Sequence, residues 1–336
     1  MWLLNTDTAT LKYFNSPEDV QGGYAILSHC WDQHRAEQTF QEIVAIKQRA
    51  ELLRLNPRRF VSPKIRDFCK LAAAHGYRWA WVDTCCIDKT SSTELSEAIN
   101  SMFRYYALSQ ACYVYLSDVS SKCDLGSESS EFWESRWYRR GWTLQELIAP
   151  RFLVFLARDW TVLGTKVELA PVVEKITSIP ASVLKFEQDL AEVSVARRMS
   201  WAGTRWTTRV EDEAYCLMGI FGVNMPVLYG EGSNAFYRLQ EEVMRSLTDS
   251  TLFLWGTYAP STTASTLSSM APTLSPPTGE SRSTSIIPFL FAPAPSDFSI
   301  ACNFDGATKA VNVRAFLGHP LANNELTWSY PVPPSE

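Results

Sequence analysis

From Tyr24 to about Ala157, short apolar runs alternate with stretches in which apolar residues recur every three or four positions. The runs are Tyr24–Trp31, Trp79–Ile87, Cys112–Ser117 and Arg151–Leu156. Each is near strand length, rich in aromatic and β-branched residues, and apolar on both alternations, as strands covered on both faces are. Between the second and third runs, Leu95, Ile99, Met102, Phe103 and Tyr106 share one helical face. Ser91 to Glu94 ahead of them has the S-x-x-E form of a capping box. Ser62-Pro63 sets a cap before a proline at the first helical position and opens a helix through Cys69 and Leu71. Strand alternating with helix is the pattern of a parallel sheet with helices on both faces, so a doubly wound α/β layer is expected here.

From about Trp160 to Gly256 the pattern turns helical, with helices predicted at Val167–Ile176, Val210–Phe221 and Asn234–Leu247, the last capped by Ser233. Tyr258 to Ser285 is a Ser/Thr/Pro tract with few core formers, which predicts a disordered insert or linker. Apolar character returns from Ile286 before a Pro-rich end. The expected division is an α/β core over 1–160, a helical extension packed on it over 161–257, the insert over 258–285 and a partly ordered tail over 286–336.

Composition narrows the function classes. A 46% hydrophobic and 20% charged chain can bury a substantial core. Its formal charge of −5, with the signs mixed along the chain, argues against broad attraction to nucleic acid or anionic membrane. No apolar run approaches the ~18–20 residues of a spanning helix. The opening MWLLNTDTATLKYF lacks the basic and apolar regions of a secretory signal. The 8 cysteines sit mostly inside apolar runs, as reduced thiols of a cytoplasmic protein do. The 12 tryptophans are an unusual number and name no activity by themselves.

In an open parallel sheet ligands bind beyond the carboxyl ends of the strands, so polar residues there are the first candidates. The first run ends in Ser28-His29-Cys30-Trp31-Asp32; the second carries Asp83, then Cys85-Cys86-Ile87-Asp88-Lys89. A carboxylate inside an apolar strand, as at Asp83, must be paired or hydrogen-bonded; a ligand role and a structural pairing stand side by side. The richest stretch is Ser135 to Pro150. On a helix, Arg139, Trp142 and Glu146 would present a cation, a flat ring and a carboxylate on one face, a set able to hold a nucleotide. Gly141 interrupts that helix, and Thr143 to Glu146 equally fits a capping box. His29, Asp83 and Cys86 could form a cysteine-nucleophile triad, although nothing local fixes its geometry. The cysteines lack C-x-x-C spacing, and vicinal Cys85 and Cys86 would alternate faces on a strand, so no metal site is expected. Gly230 to Ala235 matches G-x-G-x-x-A before a helix but follows no first strand of a βαβ unit, and is taken as a turn.

Tyr24-Ala-Ile-Leu-Ser-His-Cys-Trp31, Trp81-Val-Asp-Thr-Cys-Cys-Ile-Asp-Lys89 and Arg140-Gly-Trp-Thr-Leu-Gln-Glu146, in this order and spacing, resemble the heterokaryon incompatibility (HET) domain of filamentous fungi. Ala98 to Phe103 and Cys112 to Val119 fit between them as in that family. Arg209 to Phe221 and Leu228 to Gly232 resemble the segment that commonly follows the domain, so the resemblance covers Met1 to about Gly256. Two positions depart from the commonest pattern: Asp32 stands where glycine is usual, and Lys89 where glutamine is. A fainter resemblance links Ser135-Arg-Trp and Gln145-Glu146-Leu147 to the glutamate-bearing stretch of Toll/interleukin-1 receptor (TIR) domains, some of which cleave NAD⁺.

The family resemblance implies an effector of self/non-self recognition whose activation kills the cell, acting with HET-system partner proteins or as a homo-oligomer. The TIR resemblance implies a TIR/flavodoxin-like parallel sheet and a candidate NAD⁺ glycohydrolase with Glu146 as the catalytic carboxylate. NAD⁺ would then be a substrate, and no cofactor is implied. Ser28, Trp31, Asp83, Asp88, Arg139, Arg140 and Trp142 are the expected substrate contacts: Trp31 and Trp142 stacking, the arginines meeting phosphate, Ser28 and Asp83 lining the cleft. The competing reading is a non-catalytic signalling module that works by association.

Overall fold

The chain opens with two short strands that the hydrophobic pattern does not single out, β1 (Trp2–Asn5) and β2 (Leu11–Tyr13). They precede β3 (Ala25–His29), α1 (Phe40–Leu53), α2 (Pro63–Ala74), β4 (Trp79–Trp81), α3 (Ser92–Ala107) and β5 (Ala111–Tyr115). Then come α4 (Thr143–Ile148), β6 (Leu153–Leu156) and β7 (Val162–Thr165). This computed structural model describes residues 1–32, 36–253, 255 and 291–298, which fall within one unit, Met1–Asn303. The insert expected at 258–285, and all of the tail except 291–298, lie outside the described residues.

Among the described residues seven strands form one sheet in the order β2-β1-β4-β3-β5-β6-β7. The four inner strands are parallel, with Leu27 opposite Tyr113 and Tyr113 opposite Val154. β1 runs antiparallel to β4 and to β2, and β7 antiparallel to β6. The sheet is therefore mixed, whereas the sequence pattern pointed to a parallel one. The added edge strands are three or four residues long and alternate too briefly to stand out from loops. The second apolar run also yields less strand than its length suggests. Cys85 N and Cys86 N donate back to Val82 O at 3.2 and 2.8 Å, turning the chain just after β4. Both cysteines therefore sit in this turn rather than on alternate faces of a strand.

Helix starts follow their cap residues. Ser62 Oγ accepts from Ile65 N with Pro63 next to it, and Ser91 Oγ accepts from Glu94 N. Downstream lie α5 (Lys166–Thr177), α6 (Ala181–Leu184), α7 (Val195–Ser200), α8 (Asp212–Tyr215), α9 (Met218–Phe221) and α10 (Asn234–Ser246). The helix expected over Val210–Phe221 is thus divided in two, and Ser233 precedes α10 without its side chain making a cap bond. α10 packs on α8 and α9 on α3. Gln240 brackets Ala292, donating to its carbonyl at 2.9 Å and accepting from its amide at 2.8 Å. Among the described residues, no helix is long and apolar enough to cross a membrane.

The contact of α9 with α3 is close enough to require glycine: a Cβ on Gly219 would overlap the Cβ of Phe103. Phe103 cannot retreat without moving its helix, so Gly219→Ala is expected to cost about 1–3 kcal/mol by overpacking. In urea denaturation this appears as a lower midpoint at unchanged slope. Gly126→Ala, whose added Cβ would meet nothing closer than 3.6 Å, should leave the midpoint in place.

Candidate active site

The strand order reverses between β3 and β5, the place where an open α/β sheet leaves a crevice beyond its carboxyl ends. Consecutive residues of β3 point to opposite faces, so Ser28 and His29 build two separate networks. On one face Ser28 Oγ donates to Glu146 Oε2 at 2.5 Å and accepts from Trp137 Nε1 at 2.7 Å. Trp137 lies on the single 3₁₀ turn Arg136–Arg139. Asp118, just past β5, anchors that turn by accepting from Ser135 Oγ and Arg136 N, both at 2.9 Å.

Glu146 is only 8% exposed. Burial is the main force pushing its carboxyl up to about 8, against the opposing hydrogen bond from Ser28. The charge of Asp83 adds to the rise, while Tyr106 and Arg140 favour the anion. The carboxyl is consequently poised near neutral pH, where proton transfer and charge stabilisation are both accessible.

The short helix carrying Glu146 is held at each end by a cation. At its start Thr143 Oγ1 donates to Trp137 O and Arg140 O, and Arg205 donates to Arg140 O at 3.0 Å and Thr143 Oγ1 at 2.9 Å. At its end Lys166, 1% exposed, donates to the carbonyls of Leu147, Ile148 and Pro150. These are the carbonyls a helix leaves unpaired, and an ammonium suits both their lone pairs and the negative end of the helix dipole. Burial lowers the Lys166 ammonium to about 7 and the Arg205 guanidinium to about 10.

On the opposite face His29 Nε2 meets Asp83 Oδ1 at 3.1 Å, and Trp31 Nε1 donates to Asp83 Oδ2 at 2.8 Å. Lys64 Nζ lies 3.1 Å from His29 Nδ1, which also stands 3.3 Å from Cys30 O. Lys64 also donates to Glu37, which accepts from Asp32 N as well. Burial opposes ionisation of Asp83, but His29, Lys89 and Trp31 outweigh it and hold the carboxyl well below its usual range. Trp31 is 46% exposed, with Lys89 Nζ over its ring at 4.2 Å.

The structure brings Ser28 and Glu146 together and places Asp83 within electrostatic range of them. It separates others. α4 starts at Thr143, so Arg139 and Trp142 do not share a helical face with Glu146. Arg139 is exposed, and Arg140 lies over the Trp206 ring at 4.2 Å and reaches Thr208. Trp142 hydrogen-bonds Asp212, which also accepts from Tyr229 at 2.9 Å, whereas Trp31 hydrogen-bonds Asp83. Asp88 binds Gln41 and Thr90 at the head of the turn before α3. Glu146 does not close a capping box, because Thr143 is inside the helix and its hydroxyl points back to Trp137 and Arg140.

The cysteine triad is not assembled either. Cys86 Sγ faces the backbone of β4, accepting from Val82 N at 3.4 Å, while His29 Nδ1 faces Lys64. Cys30 follows directly on β3, but burial first, then Asp118 and Glu146, push its thiol up to about 12, which leaves it protonated. Gly230 and Gly232 do form an amide cradle, and it is filled by Glu211 Oε1 at 2.7 and 3.1 Å. No group of three metal-ligating side chains occurs among the described residues. Sequence reasoning missed Asp118, Tyr106, Lys166 and Arg205, and gave Trp137 no role although it stands in a quoted motif. Only Asp118, following an apolar strand as Asp83 does, carried a signal that could have been found.

The profile described as "Heterokaryon incompatibility protein (HET)" matches residues 24–131. The vegetative incompatibility protein HET-E-1 of Podospora anserina is 43% identical over 225 residues, covering 66% of this chain and 16% of that protein. The chain carries a HET domain. It spans a small share of the HET-E-1 length. A second profile, a domain of unknown function termed DUF8212, matches residues 234–327. No solved structure matches the chain. The matched HET segment supplies Ser28, Trp31, Asp83 and Asp118, whereas Trp137 and Glu146 follow it in sequence.

The Glu146 environment sets a pH signature for stability. The folded state holds this proton up to about 8, against 4.5 for the ordinary carboxyl, so this group makes the fold less stable as pH rises through that window. Glu146→Gln removes the burden. Its midpoint of thermal unfolding is expected above the parent's at pH 8, with the gap closing towards pH 5. A variant less stable than the parent at pH 8 would show that the buried carboxyl is not a strained group.

Proposed function

We propose that this HET-domain chain is an effector of fungal self/non-self recognition whose activation kills the cell, and that it acts by hydrolysing NAD⁺ at the nicotinamide–ribosyl bond. The HET profile and the likeness to a vegetative incompatibility protein support the first part. The second rests on one observation: a nearly buried glutamate bonded to Ser28 at the reversal point among the parallel inner strands of the mixed sheet. The inner parallel strands, taken in chain order, lie second-first-third-fourth, which supports a flavodoxin-like and hence TIR-like reading.

In this reaction water adds at the ribosyl C1′ as nicotinamide leaves, giving ADP-ribose and a proton. The departing ring is cationic while bonded and neutral once free, so no general acid is required. What the site must supply is a negative charge beside the oxocarbenium-like carbon and an anchor for the ribose hydroxyls. Ionised Glu146 fills both roles, with Ser28 and Trp137 fixing its orientation. Arg140, whose field already reaches Glu146, and exposed Arg139 are the cations for the diphosphate. A non-catalytic, associating module is the second reading, favoured by the low exposure of Glu146 and its existing bond to Ser28.

The test uses purified chain with NAD⁺, both free and artificially clustered, followed by nicotinamide release. Turnover is expected to rise with pH through about 8 as Glu146 ionises, and Glu146→Gln should lose at least about 100-fold while remaining folded. No turnover in either state would assign the chain to the associating class; full turnover and toxicity in the glutamine variant would overturn Glu146 as the catalytic carboxylate.

A further inference from the structure

A recess of about 420 Å³ lies among β1, β2 and α3, outside the Ser28–Glu146 network. Three aromatic rings line it: Trp2 of β1, Tyr13 of β2 and Tyr105 of α3. Trp2 and Tyr13 stand edge to face with centroids 5.2 Å apart, and Tyr13 is 46% exposed although it closes a strand. The same recess is lined by two carboxylates one helical turn apart, Glu94 and Glu97. Glu94 accepts from Trp2 Nε1 at 3.3 Å, which turns the indole plane, and no side-chain cation pairs with Glu97 among the described residues. Ile87 and Ala98 provide an apolar part of the lining.

The surrounding charges do not neutralise this lining. Lys12 alternates to the other face of β2, where it lies over the Phe14 and Trp79 rings at 4.9 and 5.3 Å. Arg104 pairs with Glu18. Met1 lines the recess too, and its nitrogen donates to Phe14 O rather than to Glu94 or Glu97. Rings presenting π faces and edges, an uncompensated carboxylate and an apolar floor are together the chemistry that recognises an organic cation. Anions are repelled. A bare divalent metal is poorly served, because two carboxylates beside rings do not make up an oxygen shell.

We propose that this recess binds an alkylammonium group, its head among Trp2, Tyr13 and Glu97 and its short apolar stem towards Ile87 and Ala98. Two sources carry that chemistry, a free small amine and the side chain of a methylated lysine on another protein. The site is independent of any activity at Glu146, so it can be tested on the full chain without a turnover assay.

Choline, its uncharged carbon isostere 3,3-dimethylbutanol and a short peptide containing trimethyl-lysine serve as probes, with calorimetry and tryptophan fluorescence as readouts. Choline is expected to saturate at millimolar concentration or below, and the uncharged isostere to bind roughly tenfold more weakly. Glu97→Gln should weaken choline about three- to tenfold, and Tyr13→Ala by a similar factor; both positions are exposed, so the variants should fold. Tighter binding of the peptide than of choline points to a protein side chain, and the reverse order to a free amine. The proposal is overturned if neither cation saturates below roughly 50 mM, if the isostere binds equally, or if both variants bind as the parent does.

Discussion

A carboxyl group taken almost wholly out of water has to be met by donors, and the inner architecture of this chain can be derived from how that demand is met at Glu146. Ser28 supplies the donor, Trp137 fixes the serine hydroxyl by donating to it, and Asp118 fixes the turn that carries Trp137. Arg205 and Lys166 hold the two ends of the six-residue helix, which is too short to be stable alone. The sum of these contacts places one acid at the point where the strand order reverses, and keeps its proton near neutral pH.

The alternation of β3 has an electrostatic consequence. His29 and Ser28 are neighbours in sequence and belong to networks on opposite faces, yet the Asp83 charge of one network raises the Glu146 carboxyl of the other. The two networks are thereby coupled by charge across a single strand.

The inner strands β3 and β5 were legible because they are continuously apolar and bounded by helical periodicity, and α2 because Ser62-Pro63 leaves little choice of start. β1, β2 and β7 were not, because three or four residues of mixed polarity carry no distinct period. At the site, Ser28 and Glu146 were reachable from strand-end placement and motif. The partners Lys166 and Arg205 were not, since a lysine opening α5 and an arginine after α7 look like surface residues until tertiary packing buries them. The assumption that Arg139, Trp142 and Glu146 share a helix failed at Gly141. Arg140 before it is extended and bridges to Trp206, and Gly141 is a bend whose amide donates to the Trp206 carbonyl at 2.9 Å.

The edges of the sheet bear on how such a chain can be cut. The segment that matches the HET profile, 24–131, contains β3, β4 and β5 but none of the strands that flank them. Excised at those limits, it would present β4 without β1 and β5 without β6, two rows of unpaired amides and carbonyls open to pairing with other molecules. The stretch by which the family is recognised is therefore shorter than the stretch that pairs its strands. A fragment meant to behave as a monomer has to begin before Trp2 and continue past the Lys166 that closes α4.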